Sequence, residues 1–168
     1  MPDATLAYPL TVYYDASCPL CRAEMETLKA RDCDDRLRLV DCSAAAFDAR
    51  ATAAQGVTRT MMMERIHARD VAGRWLVGLD VFAAVYGAAG LHGLARIYGS
   101  RRLRPLLDCA YPWIAAHRYA LSRLGLPRFF HLLARGTRPV STASRDCAAC
   151  VRPVAPPPLP GNDPGARR

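Results

Sequence analysis

Strand-like and helical hydrophobic patterns follow one another in the N-terminal part of the chain. Residues 10–14 form an apolar, β-branched and aromatic run, which predicts an interior strand. Residues 19–31 begin at a proline that suits a first helical turn, and they predict a helix. Residues 37–40 predict a second strand, parallel to the first if the helix is a crossover. The apolar stripe of the helix consists of Leu20, Ala23, Met25 and Leu28.

The middle of the chain predicts a further helix and a hairpin. The alanine-rich residues 43–54 favour a helix, which ends before Gly56. Residues 60–67, with three consecutive methionines, and residues 74–77 predict two strands joined by a turn at 70–73. We expect these strands to be antiparallel. The methionines are expected to belong to the core rather than to a binding surface.

Apolar helical patterns dominate the part that follows. Residues 79–89 predict a buried helix, and further helices are expected at 101–107 and 109–124. Asp80 and His92 limit the first apolar stretch to less than the roughly 18 residues that a transmembrane helix needs. The order β-α-β and then β-β-α therefore predicts an α/β fold with a mixed sheet and additional C-terminal helices.

Composition divides the chain into a domain and a tail. The chain has 168 residues, of which 51% are hydrophobic, enough for one compact domain. Seven of its 13 prolines lie between Pro139 and Pro164, among serine, threonine and glycine. Such a segment cannot form a packed core. We expect a domain over residues 1–135 and a Pro-rich, disordered tail over 136–168.

The charge is concentrated toward the C-terminus. The net formal charge is +8, but residues 1–100 have 11 basic and 12 acidic side chains, and residues 101–168 have 12 and 3. A basic region of this kind can meet nucleic acid, anionic lipid or an acidic protein. The arginines are spaced along predicted helices, and no aromatic platform accompanies them, so we do not expect nucleic-acid binding.

The cysteines give the chain its candidate chemistry. Residues 1–15 lack the pattern of a signal peptide, which predicts a cytoplasmic protein. In that compartment seven cysteines indicate catalysis, metal binding or inert burial more than a disulfide scaffold.

Cys18 and Cys21 form a Cys-Pro-Leu-Cys motif where the first strand gives way to the first helix. Unpaired backbone N–H groups and the helix dipole favour a thiolate there, so Cys18 is the predicted nucleophile. Cys21 lies on the same helical face and can resolve a mixed disulfide formed at Cys18. Asp15 either relays a proton, if burial raises its pKa, or shapes the turn through backbone hydrogen bonds. Ser17 is expected to be an N-cap or a turn residue.

A second Cys-x-x-Cys, Cys147 to Cys150, lies in the predicted tail. It is a resolving pair for the first motif, half of a zinc site, or a flexible pair without a role. The remaining cysteines, Cys33, Cys42 and Cys109, are expected to be ordinary thiols. The histidines do not have the spacing of metal ligands; they are His67, His92, His117 and His131.

Residues 13–21, Tyr-Tyr-Asp-Ala-Ser-Cys-Pro-Leu-Cys, resemble the signature of the DCC family of predicted thiol-disulfide oxidoreductases. The resemblance covers most of residues 10–126 and implies a thioredoxin-like fold. The chain departs from the pattern at Ala16, where family members usually have glycine, and it lacks the proline that thioredoxins place before their third strand, here sought at 57–60. A second matching segment contains Asp108, Tyr111, Ile114, Ala115, Arg118 and Tyr119.

The sequence thus predicts a thiol-disulfide oxidoreductase of the protein-disulfide reductase type, with Cys18, Cys21 and Asp15 as site residues. We expect no cofactor and no metal. The expected partners are a disulfide-containing protein or small molecule and an external thiol reductant of the thioredoxin or glutathione type; Pro19 stands where glutaredoxins have proline. The alternatives are a non-enzymatic interaction module, using the basic helices and the Pro-rich tail, and a zinc-binding protein.

Overall fold

The computed structural model describes residues 6–123, which form a four-stranded mixed sheet with helices on both faces. The strand order is β2-β1-β3-β4, with β1 parallel to β2 and antiparallel to β3, and β3 antiparallel to β4. This is the predicted thioredoxin-like arrangement. The strands are β1 (Leu10–Tyr14), β2 (Leu37–Asp41), β3 (His67–Arg69) and β4 (Trp75–Val77), and the helices are α1 (Pro19–Ala30), α2 (Arg50–Ala53), α3 (Arg59–Glu64), α4 (Leu79–Ala88), α5 (His92–Tyr98) and α6 (Arg104–Arg123).

The central strand β1 separates two apolar clusters. Side chains alternate between the faces of a strand, so Leu10, Val12 and Tyr14 point together into the main core. Met25 of α1 and Val81 of α4 pack in the same core. The carboxyl end of β1 therefore shares a core with α1, and the turn that contains Cys18 begins at this end.

The second cluster lies on the opposite face of the sheet and corrects one prediction. Residues 60–67 are not a strand, because α3 occupies most of this range and β3 begins only at His67. The Thr58 hydroxyl caps α3 by accepting a hydrogen bond from the Met61 backbone N–H at 3.3 Å. Met62 is 1% exposed and packs in the second cluster, whereas Met61 is 42% exposed. A short apolar run does not distinguish helix from strand, and methionine is a good helix former.

The alanine-rich segment is helical over fewer residues than predicted. Only Arg50–Ala53 of residues 43–54 forms a helix, α2. The Arg59 guanidinium donates to the carbonyls of Ser43 and Ala44, at 2.9 and 3.2 Å, in the part of this segment that is not helical. Asp48 accepts from the Arg50 backbone N–H at 3.0 Å and so fixes the start of α2.

The C-terminal helices differ in number from the prediction. The predicted buried helix is α4, but α5 was not predicted, and the two helices expected at 101–107 and 109–124 are one helix, α6, which continues through the exposed Pro112. Arg104 supports this continuity through hydrogen bonds to both carboxylate oxygens of Asp108, at 2.9 and 3.0 Å. Among the described helices, none is both long and apolar enough to cross a membrane. The predicted tail, residues 136–168, lies outside the described residues.

Candidate functional site

The turn between β1 and α1 is built by Asp15. One oxygen of its carboxylate, Oδ1, accepts a hydrogen bond from the Ser17 backbone N–H at 3.0 Å and another from the Ser17 hydroxyl. Ser17 is therefore a turn residue, and Cys18 is the N-cap of α1, with an extended backbone. Ala16 fits this turn without strain, because Asp35 is the only non-glycine residue with positive φ in residues 6–123. The shaping role predicted for Asp15 is present in the geometry.

The two thiols of the motif are free and hydrogen-bonded to each other. The pKa of Cys18 is lowered to about 6, mainly because the Cys21 thiol donates a hydrogen bond to it. The backbone N–H groups of Cys21 and Leu20 and the charge of Arg118 also lower this pKa, whereas burial raises it. The pKa of Cys21 is raised, because this thiol donates the hydrogen bond, is partly buried and lies beside Cys18. These opposite shifts favour the thiolate at Cys18 over the thiolate at Cys21.

Helix α6 contacts the Cys18 turn through polar side chains. The Tyr119 hydroxyl donates to Asp15 Oδ2 and lies 3.1 Å from Ser17 Oγ. Arg118 Nη2 donates to the same Asp15 oxygen at 3.0 Å. Cys18, within this turn, is 0% exposed. The segment containing Arg118 and Tyr119 was singled out by the family resemblance alone, with no role attached.

The protonation state of Asp15 does not suit the predicted proton relay. Burial raises its pKa, but hydrogen bonds from Ser17 and Tyr119 and the charge of Arg118 outweigh burial, and the net pKa is lowered. The relay required a raised pKa. The geometry instead makes Asp15 an ionised anchor that joins the β1–α1 turn to α6.

A small cavity of about 80 Å³ lies beside Cys21, between α1, the segment after α3, and α6. Glu24 of α1 lines this cavity, and its carboxylate accepts a hydrogen bond from the Tyr86 hydroxyl at 2.6 Å. Burial raises the pKa of Glu24 to about 7. The sequence reasoning missed Glu24, although its spacing of one helical turn from Cys21 was a usable signal. Apolar residues that line the cavity include Leu20, Met25, Met62, Phe82 and Ile114.

The other predicted thiols and histidines lie apart from this arrangement of hydrogen bonds. Cys42 is buried, with its thiol donating to Met62 Sδ at 3.5 Å, while Cys33 and Cys109 are exposed. His67 is buried beside Trp75. No group of three histidine, cysteine or acidic residues suited to a metal ion occurs within residues 6–123. Cys147, Cys150 and His131 lie outside the described residues.

The family model of the DCC1-like thiol-disulfide oxidoreductases matches residues 12–124. No curated protein and no solved structure is similar enough to the chain to count as a match. The matched range extends from β1 through α6, so it includes the thiol pair, Asp15 and the two α6 residues that contact Asp15. The resemblance expected from residues 13–21 is thus confirmed over most of the chain, which belongs to the DCC1-like thiol-disulfide oxidoreductase family.

Proposed function

We propose that the protein exchanges disulfides through Cys18 and Cys21, with Cys18 as the nucleophile and Cys21 as the resolving thiol. The observation that supports this most directly is the asymmetry of the pair. Cys18 has a pKa of about 6 at the start of α1, while the pKa of its hydrogen-bonded neighbour Cys21 is raised. A nucleophilic thiolate beside a protonated second thiol is the arrangement that stepwise exchange requires.

In the proposed reaction the Cys18 thiolate attacks one sulfur of a substrate disulfide. The substrate S–S bond breaks, one substrate thiolate leaves, and a mixed disulfide remains on Cys18. Cys21 then loses its proton and attacks Cys18 Sγ, which releases the second substrate thiolate. The substrate gains two electrons and the Cys18–Cys21 pair loses them. An external thiol reductant, of the thioredoxin or glutathione type, returns the pair to the dithiol.

Access to Cys18 requires α6 to move in this proposal. A sulfur with no exposed surface cannot contact a substrate disulfide, and Cys18 is 0% exposed. None of the residues of α6 is fully buried, and Arg118 and Tyr119 attach it to the site by polar contacts. Breaking these contacts costs free energy, which substrate binding would have to offset. We therefore propose that α6 shifts away from the β1–α1 turn when a substrate binds.

The test is a disulfide-reduction assay on insulin with an excess of external thiol. Cys18→Ser should abolish the protein-dependent rate, and Cys21→Ser should accumulate a mixed disulfide on Cys18 that gel mobility under non-reducing conditions reveals. Cys109→Ser is the matched control, because Cys109 is an exposed cysteine on α6. Equal rates in wild type, Cys18→Ser and Cys21→Ser would overturn the proposal.

A binding module is the second candidate, and the complete burial of Cys18 is the observation that favours it. Helices α5 and α6 also present exposed apolar side chains beside their arginines, a composition common in contact surfaces. The pH dependence of Cys18 alkylation separates the two functions. A midpoint near the ordinary thiol value of about 8.5 would favour the binding module, and a midpoint near 6 favours exchange. The exposed apolar residues are Leu94, Ile97, Leu106, Trp113 and Ile114.

A further inference from the structure

Glu24 is a partly buried carboxyl group with no part in the exchange chemistry described so far. It lies one helical turn after Cys21 on α1, so both side chains point to the same side of the helix. The Tyr86 hydroxyl of α4 donates to one of its oxygens at 2.6 Å, which holds the carboxylate in place. An acidic side chain on the buried side of a helix is uncommon unless it has a partner or a function.

Cys21 and Glu24 line the same cavity. The cavity volume of about 80 Å³ exceeds the roughly 15 Å³ that one water molecule needs. Polar groups at its wall, including Glu24, Cys21 and Arg118, can hold such a water. The shared cavity therefore offers a proton that leaves the Cys21 thiol a route to the Glu24 carboxylate inside the fold.

The resolving step needs a proton acceptor. Only a thiolate attacks a disulfide efficiently, and burial of Cys21 disfavours the thiolate. Asp15 is a poor acceptor, because hydrogen bonds and the Arg118 charge keep it ionised and stable as the anion. Glu24 differs from Asp15 in having a neutral hydrogen-bond partner and a carboxyl group that gains and loses its proton near neutral pH.

We infer that Glu24 is the catalytic base of the resolving step, accepting the Cys21 thiol proton across the cavity that the two side chains share. The inference rests on the proposed exchange function. The S–H bond of Cys21 breaks as an O–H bond forms on Glu24. The Cys21 electron pair forms the bond to Cys18 Sγ, and the substrate thiolate leaves with the electrons of the mixed disulfide. Glu24 then passes its proton to water or to the leaving thiolate.

The surroundings of Glu24 tune its protonation during the cycle. The Cys18 thiolate raises the pKa of Glu24, and the Tyr86 hydrogen bond lowers it. Formation of the mixed disulfide removes the Cys18 charge, so the carboxyl group ionises more readily when Cys21 must lose its proton. The resolving rate should therefore rise with pH to a midpoint at or below about 7. The titratable and charged groups around Glu24 are Cys18, Cys21, Tyr86 and Tyr98, and those that line the rest of the cavity are Tyr14, Asp15, Glu64, Arg65, Tyr111 and Arg118.

The experiment is a rapid-mixing reaction of the full chain with a limiting amount of the aromatic disulfide dithiobis(nitrobenzoate). Cys33, Cys109, Cys147 and Cys150 are replaced by serine, and the buried Cys42 is kept. Cys18 attack releases one coloured thiolate in a first phase, and Cys21 attack releases the second in a later phase. Both rates are followed across neutral pH for wild type, Glu24→Gln and Glu24→Asp. Glu26→Gln is the matched control, because Glu26 is exposed on the same helix.

We expect Glu24→Gln to slow the second phase about a hundredfold, as the loss of a general base does, and to remove its inflection near neutral pH. The first phase should be nearly unchanged, Glu26→Gln should behave as wild type, and Glu24→Asp should retain part of the rate. Tyr86→Phe should move the midpoint of the second phase to higher pH, because it removes a hydrogen bond that stabilises the carboxylate.

The outcomes separate this inference from the proposed function. Absence of the first phase in wild type would refute exchange at Cys18. A normal first phase, with a second phase that Glu24→Gln neither slows nor shifts in pH, would refute the role of Glu24 alone. If Glu24→Gln fails to fold, the Tyr86→Phe midpoint decides, since an unchanged midpoint contradicts the inference. If Glu24→Gln slows both phases equally and leaves the pH inflection of the second phase unchanged, Glu24 has a structural role and the inference is overturned.

Discussion

Arg118 joins α6 to two other parts of the protein, so its replacement by methionine is an informative perturbation. Its guanidinium donates to the Asp15 carboxylate at 3.0 Å, to the Met63 carbonyl at 2.6 Å and to the Glu64 carbonyl at 3.2 Å. Methionine preserves much of the aliphatic length and removes the charge and these donors. Asp15 would then keep only its bonds from Ser17 and Tyr119.

The expected loss follows from the burial of the ion pair. The Arg118 and Asp15 side chains are 15% and 4% exposed, so water replaces the lost partner poorly. Removing one member of a buried pair typically destabilises a protein by about 3–5 kcal/mol. Because other donors to Asp15 remain, we expect the lower end, a decrease of about 3 kcal/mol in the free energy of unfolding.

The assay is urea unfolding of the reduced protein, followed by circular dichroism. With a slope of about 2 kcal/mol/M for a small protein, the midpoint should fall by about 1.5 M. Arg104→Met is the matched control on the same helix, because Arg104 is 40% exposed and pairs with the exposed Asp80 and Asp108. Surface pairs contribute about 0–1 kcal/mol, so this variant should change the midpoint little.

A double-mutant cycle provides the decisive result. If Arg118 stabilises the fold through Asp15, then Asp15→Asn combined with Arg118→Met should destabilise by clearly less than the sum of the single changes. Additive effects, or an Arg118→Met loss as small as that of Arg104→Met, would refute the reasoning that this ion pair holds α6 on the site.

Three further predictions concern other parts of the site. Alkylation of Cys18 should show a pH midpoint near 6. Tyr119→Phe should make this alkylation severalfold faster, because it removes a hydrogen bond that holds α6 at the Cys18 turn. An unchanged alkylation rate would contradict the proposal that α6 limits access to Cys18. Because the pKa of Glu24 is raised from 4.5 to about 7, the folded state holds a proton that the unfolded chain releases, and stability falls as pH rises through this window. The free energy of unfolding of Glu24→Gln, taken relative to that of wild type, should therefore rise by about 3 kcal/mol from the acidic to the alkaline side of this window. Urea unfolding at several pH values measures this difference. Gly78→Ala should destabilise by about 1–3 kcal/mol, because φ is +61° and the added Cβ would lie 3.2 Å from an aromatic ring of α6, whereas Gly93→Ala meets nothing within 4 Å and should not lower the melting temperature.

Local sequence patterns predicted the elements that hold the thiols. The strand at residues 10–14 matches β1, and the helix predicted from Pro19 matches α1 within one residue. Both succeed because side-chain alternation, a proline at the helix start and an apolar stripe are local signals. The strand predicted at residues 60–67 was wrong, because the run of three methionines has no period that distinguishes a strand from a helix. The helix that forms there depends on the Thr58 cap and on the packing of Met62 against the sheet.

The contacts among the functional residues could not be read from local patterns. Tyr86 lies 62 positions after its partner Glu24, and Arg118 and Tyr119 lie 103 and 104 positions after Asp15. No periodicity connects residues so far apart. The protonation of Asp15 also depends on these contacts, because they determine whether burial or hydrogen bonding prevails.

The sequence by itself determined a Cys-x-x-Cys pair at the junction of β1 and α1, the order of the strands along the chain and the family. These properties depend on neighbouring residues, which share one backbone segment and one helix dipole. Only the tertiary structure decided that α6 contacts the Cys18 turn, that hydrogen bonds and the Arg118 charge lower the pKa of Asp15, and that Glu24 shares a cavity with Cys21. Those properties depend on burial and on charges brought together by folding, and both are set by the packing of distant segments.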